Sequence, residues 1–136
     1  MAIISTKGSY GLTAVVILAQ GDNQLLQIKD IASKGDIPQN YLEQILVLLK
    51  KAGLVESIRG ANGGYKLAKD KSLITVYEVL DALECCLSES DSNTKQGLLE
   101  PFWSYTQKQI KGIFLLSIKE LEEFLEENSE HIMFHI

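Results

Sequence analysis

Apolar positions along the first fifty residues recur every three to four places. The run "LTAVVILA" predicts a helix from Thr6 to Ala19, with Ser5 as its N-terminal cap and "GDN" at Gly21 to Asn23 as its stop. A short helix follows over Ile28 to Lys34, "IKDIASK", and Gly35 is expected to end it. Pro38 then opens a longer helix, "PQNYLEQILVLLKKA", and Gly53 supplies its C-terminal glycine. In this third helix Leu42, Ile45, Leu46 and Leu49 share one face, while Gln39, Asn40, Glu43, Gln44 and Lys50 lie elsewhere.

The period then shortens to two. "LVESI" and "GYKLA" alternate apolar and polar residues and flank the glycine-rich "RGANGG", which predicts an antiparallel hairpin. Helical spacing returns at "TVYEVLDALE", where Thr75 and Glu78 form a capping box. "SESDSNTKQG", Ser88 to Gly97, reads as a polar loop. A long helix is expected from about Leu98 to Leu116, and a second capping box, Ser117 with Glu120, opens the acidic helix "IKELEEFLEEN". The fold class is therefore mainly α with a small β-hairpin. Its expected layout is a winged helix-turn-helix domain over 1–84, a loop over 85–97, and a long helix, acidic helix and tail over 98–136.

Charge divides the chain in two. Nine basic and six acidic residues occur through Lys71, against four basic and twelve acidic from Ser72 onward. The net charge of −5 argues against nonspecific coating of nucleic acid, but the mildly basic front suits phosphates and the acidic back suits protein contacts. No apolar run is long enough to span a bilayer, and "MAIISTKGSYGL" has no basic leader before an apolar core and cleavage site. With only two cysteines, adjacent at Cys85 and Cys86, there is no disulfide framework, and a cytoplasmic location is expected.

Two short helices joined by a glycine-containing turn, with a helix before and a hairpin after, suit duplex DNA. The second helix of the pair enters the major groove by its N-terminal end, where Gln39, Asn40 and Gln44 offer amide groups that match base edges. Arg59 on the hairpin tip is drawn to the negative minor groove or backbone. The glycines, Gly60 and Gly63 among them, let the backbone approach beside Asn62. Together "STKGSYGL", "YLEQIL", "LKKAGLVESIRGANGGYKLA" and "ITVYEVLDALE" resemble the successive signatures of the Rrf family of bacterial winged-helix repressors, over about the first two-thirds of the chain.

That resemblance implies a homodimer on a palindromic operator in double-stranded DNA. Tyr41 to Gln44 would lie on the recognition helix, Arg59 to Gly64 on the wing, and Ser5, Lys7 and Tyr10 at the DNA-facing start of the first helix. Two departures bear on specificity: "IPQNY" replaces a serine cap followed by charges, and Ser9 stands where many relatives have arginine. Leu99, Phe102, Trp103, Thr106, Ile110, Ile113 and Phe114 are too many bulky groups for a lone surface helix. Packing inside one chain would use them; the resemblance implies that this helix instead crosses its twin.

Many relatives hold an iron–sulfur cluster through three loop cysteines, and the loop here has none. No cofactor and no metal site is expected, since His131 and His135 lack a third ligand. Cys85 and Cys86 are open to a redox role, making the chain a redox- or iron-responsive regulator, or to incidental burial. The ending "HIMFHI" is similar to that of the CymR-like branch, the repressors of cysteine metabolism. That resemblance implies cysteine synthase as a partner, with Phe134 and Ile136 as the contact residues and Ile136 the one inserted in its active site. The alternatives are packing of the tail on the dimer helix, and an interaction module for which DNA is secondary. No catalytic set is present, so no enzyme activity is expected.

Overall fold

The computed structural model describes residues 4–83 and 97–133, with side chains through Ser129. Cys85, Cys86, the polar stretch after them, Phe134 and Ile136 lie outside the described residues. Helix α1 (Thr6–Gln20) starts where the Ser5 hydroxyl accepts a hydrogen bond from the Gly8 N–H at 3.1 Å. It sends Ala14, Val15, Leu18 and Ala19 into the core. Helix α2 (Ile28–Gly35) buries Ile31, and helix α3 (Gln39–Lys51) buries Leu42, Ile45, Leu46 and Leu49, the stripe that the apolar spacing predicts.

The turn between α2 and α3 differs from expectation. Asp36, not Gly35, takes the left-handed conformation (φ 51°). Gly35 is there for space: a Cβ on it would lie 2.9 Å from Ile37 Cδ1 and 3.1 Å from Ile17 Cδ1. Those isoleucines leave little room for a side chain at Gly35, and the left-handed bend falls one residue on, at Asp36. After α3 the expectation holds. Gly53 adopts φ 76°, its N–H bonds the Lys50 carbonyl and the Leu54 N–H bonds the Leu49 carbonyl, both at 3.0 Å. This paired closure satisfies two carbonyls at the helix end and turns the chain into the hairpin.

Strands β1 (Val55–Ile58) and β2 (Gly64–Leu67) pair antiparallel, with Val55 opposite Leu67 and Ile58 opposite Gly64. Leu26 adds a one-residue bridge to β2, exchanging backbone hydrogen bonds with Tyr65 at 3.0 and 2.8 Å. A short 3-10 turn (Lys71–Leu73) leads to helix α4 (Val76–Ala82), whose cap is Thr75 accepting from the Glu78 N–H at 3.1 Å. The Glu78 carboxylate completes no reciprocal bond to Thr75; it pairs with Lys69 at 3.2 Å.

Helix α5 (Glu100–Phe114) is shorter than its apolar spacing predicts at both ends. Its C-terminal limit has a tertiary cause: the Leu116 carbonyl accepts from the Val76 N–H at 3.0 Å, and the Ile118 N–H donates to the Ile74 carbonyl at 2.8 Å. Those bonds hold Leu116 and Ser117 against the start of α4, where Ser117 bridges Thr75. Helix α6 (Ile118–Met133) then begins at Ser117, whose Oγ accepts from the Glu120 N–H at 3.1 Å and whose hydroxyl donates to Glu120 Oε1 at 3.3 Å. One core unites α1 to α4, the hairpin and the first turn of α6, where Ile118 is fully buried.

Candidate nucleic-acid interface

The starts of α1 and α3 share one feature and differ in another. Neither has an acidic residue in its first turn, and no side chain caps α3, because Pro38 occupies its N-cap. Free N–H groups and the helix dipole leave the start of α3 electropositive, a setting that favours phosphate or base acceptors. The rings of Tyr10 on α1 and Tyr41 on α3 meet edge to face, 5.6 Å between centroids at 75°. That contact sets the two helix starts against one another. Around it Ser5, Gln39, Asn40, Glu43 and Gln44 are exposed, and Lys7, Tyr10 and Tyr41 are half-buried.

The wing tip is shaped by two glycines for different reasons. Gly60 takes φ 121°, which an L side chain rarely adopts, and the Gly63 N–H returns to the Gly60 carbonyl at 3.0 Å. A Cβ on Gly63 would collide with the Ile58 carbonyl oxygen, so the tip closes only without one. Arg59, Gly60, Ala61 and Asn62 are exposed, and Arg59 enters none of the ion pairs among the described residues. The Lys50 ammonium donates to Ser57 Oγ at 2.8 Å, tying the last turn of α3 to β1. Sequence spacing does not single out Lys50, since nothing local marks a pair that bridges a helix and a strand.

The helix α5 side chains divide. Leu99, Phe102, Trp103 and Ile113 are 54%, 56%, 50% and 68% exposed, a concentration of apolar surface on one stretch of the chain. Thr106, Ile110 and Phe114 are half-buried; Phe114 packs on the core, and the Thr106 hydroxyl bonds the Phe102 carbonyl at 2.9 Å. Phe102 and Trp103 contact each other with centroids 5.2 Å apart. Among the described residues no three His, Cys, Asp or Glu side chains gather to hold a metal. No helix among them is long and apolar enough to cross a membrane.

Comparison with known proteins agrees with this arrangement. The family model described as Rrf2, iron-dependent transcriptional regulator, matches residues 4–129. The chain is 34% identical to the HTH-type transcriptional regulator CymR of Bacillus subtilis strain 168, over 98% of this chain and 99% of that protein. It is 44% identical to IscR of Cereibacter sphaeroides, an alignment of 84 residues that takes in 60% of this chain and 54% of that one. Among solved structures, T. potens IscR superposes with a TM-score of 0.76 at 36% identity, covering 91% of this chain and 88% of that one. The structure described as CymR (YrzC), the global cysteine regulator of B. subtilis, does so at 0.75 and 33%, covering 91% and 98%. With a match across nearly its whole length and the winged-helix architecture in place, this chain belongs to the Rrf2 family of DNA-binding transcriptional regulators.

Proposed function

We propose that this regulator binds a palindromic DNA operator as a homodimer and represses transcription from it. The Tyr10–Tyr41 contact carries the reading, because it joins two acid-free helix starts into one surface beside the exposed amides of Gln39, Asn40 and Gln44. Those amides read base edges in the major groove. Ser5, Lys7 and Tyr10 engage the backbone, and Arg59, Gly60, Asn62 and Gly63 lie against the neighbouring groove. Residues 1–84 form the reading domain, 85–97 the connection, and 98–136 the dimer helix and its appendage. Two recognition helices related by a twofold axis would sit about 34–36 Å apart, one turn of DNA.

Arg59→Ala is expected to weaken binding to an operator selected by the wild-type protein by about 1–3 kcal/mol, the cost of one lost groove contact. Fluorescence anisotropy at fixed salt measures it, and an unchanged affinity would remove Arg59 from the interface. Its exposure, and the absence of an ion-pair partner among the described residues, make a large stability loss foreign to this variant.

The regulated process is cysteine or sulfur metabolism, with cysteine synthase as the partner protein that reads Phe134 and Ile136. Support comes from near full-length similarity to CymR and from the ending "HIMFHI". Calorimetric titration of cysteine synthase into the protein should give a binding heat that disappears when Ile136 alone is removed. Equal heats with and without Ile136 would rule out the tail as the docking element.

A further inference from the structure

The return limb of the wing is anchored residue by residue. Ala68 N–H bonds the Leu54 carbonyl at 2.9 Å, Lys69 pairs with Glu78 of α4, and Asp70 caps the 3-10 turn by accepting from the Ser72 N–H at 2.9 Å. Lys71 then reaches across 51 positions to α6, where its ammonium meets Glu122 Oε2 at 2.7 Å. This pair is the least exposed of the three ion pairs among the described residues, with 30% and 14% of its side chains accessible. The Glu122 hydrogen bond holds the Lys71 ammonium above its ordinary range, against the opposing effect of burial, and Asp22 and Asp70 add to the field.

Glu122 depends on this partner. Its other oxygen, Oε1, is buried and has no hydrogen-bond partner among the described residues. A half-buried carboxylate without Lys71 would be left uncompensated, so the two side chains are expected to move together. The backbone around them is equally tied, through the Ile74–Ile118 and Val76–Leu116 hydrogen bonds. Only Ala68, Lys69 and Asp70 separate Lys71 from the last residue of β2. Lys71 thus ties α6 to the short segment that follows the wing's second strand.

We infer that the Lys71–Glu122 pair is a positioning contact for DNA binding, which sets the wing by the placement of α6. The inference rests on the proposed contact of Arg59 with DNA. A protein partner engaging the end of the chain would act on operator affinity through this pair, without touching DNA itself.

The test uses the full chain and a duplex selected by the wild-type protein from a randomised pool. Glu122→Gln and Lys71→Met, each checked for folding by circular dichroism, should bind that duplex about three- to tenfold more weakly. Lys71→Arg, which retains the charge, should bind as wild type. In an Arg59→Ala background the same two substitutions should cost little further affinity, because the contact they position is already gone. Wild-type affinity in both variants, with only a lower melting temperature, would make the pair a stability element and overturn the inference. An equal loss in both backgrounds would also overturn it. If Arg59→Ala itself binds normally, the wing contact fails first, and the positioning role falls with it.

Discussion

Trp103→Asp is expected to sediment as a monomer and to bind the palindromic operator at least about 100-fold more weakly than the wild-type protein. Trp103 is half exposed on α5 beside Phe102, with Leu99 and Ile113 also bare. An aromatic anchor of this kind dominates the free energy of a protein interface, typically by more than 2 kcal/mol per side chain. An aspartate there must be stripped of water on association with nothing to pair it, which opposes the dimer strongly. In the isolated chain the same carboxylate stays solvated near the start of a helix, where negative charge is favourable. The variant should therefore keep its helical circular dichroism.

Loss of affinity would come from loss of linkage between two half-sites, not from damage to either reading surface. Binding to a single half-site should accordingly be unchanged. Analytical ultracentrifugation of the wild type and variant, followed by anisotropy on whole and half operators, separates the two effects. A variant that remains dimeric, or a wild type that is monomeric at micromolar concentration, would remove α5 as the dimer helix.

Leu46→Ala should cost about 2–5 kcal/mol of unfolding free energy, measured by chemical denaturation. Leu46 is 1% exposed in the middle of the buried face of α3, between Leu42, Ile45 and Leu49. Removing its branched end deletes apolar burial and leaves a cavity that the surrounding helices can only partly fill. Because single domains are stable by only about 5–15 kcal/mol, the variant is expected to be partly unfolded under mild warming. Val47→Ala, one residue along and 53% exposed, should stay within about 0.5 kcal/mol of wild type. Equal losses at the two positions would contradict the placement of α3 in the core.

Much of the fold is legible in the chain because its decisive signals are local. Ser5 caps α1 through Gly8, Thr75 caps α4 through Glu78, and Ser117 caps α6 through Glu120, all across three residues. Gly53 and the alternation on either side of "RGANGG" mark the passage from helix to hairpin in the same way. The candidate reading surface was legible for a related reason. Polar positions on α3 are what remains after its apolar stripe is assigned to the core, and a glycine-bearing tip between two strands has to be exposed.

What the order of residues determined was the set of helices, the hairpin, their caps and the face that each turns inward. The left-handed residue after α2 falls at Asp36, one position beyond the glycine that the spacing marks, where Gly35 lies close against Ile17 and Ile37. Tertiary structure alone ended α5 early, brought Tyr10 to Tyr41, and joined Lys71 to Glu122. A cap or an amphipathic stripe is a matter of spacing along one element, set by the geometry of the backbone. A contact between distant elements exists only once burial of the shared core has settled how they lie together, and no local spacing carries that information.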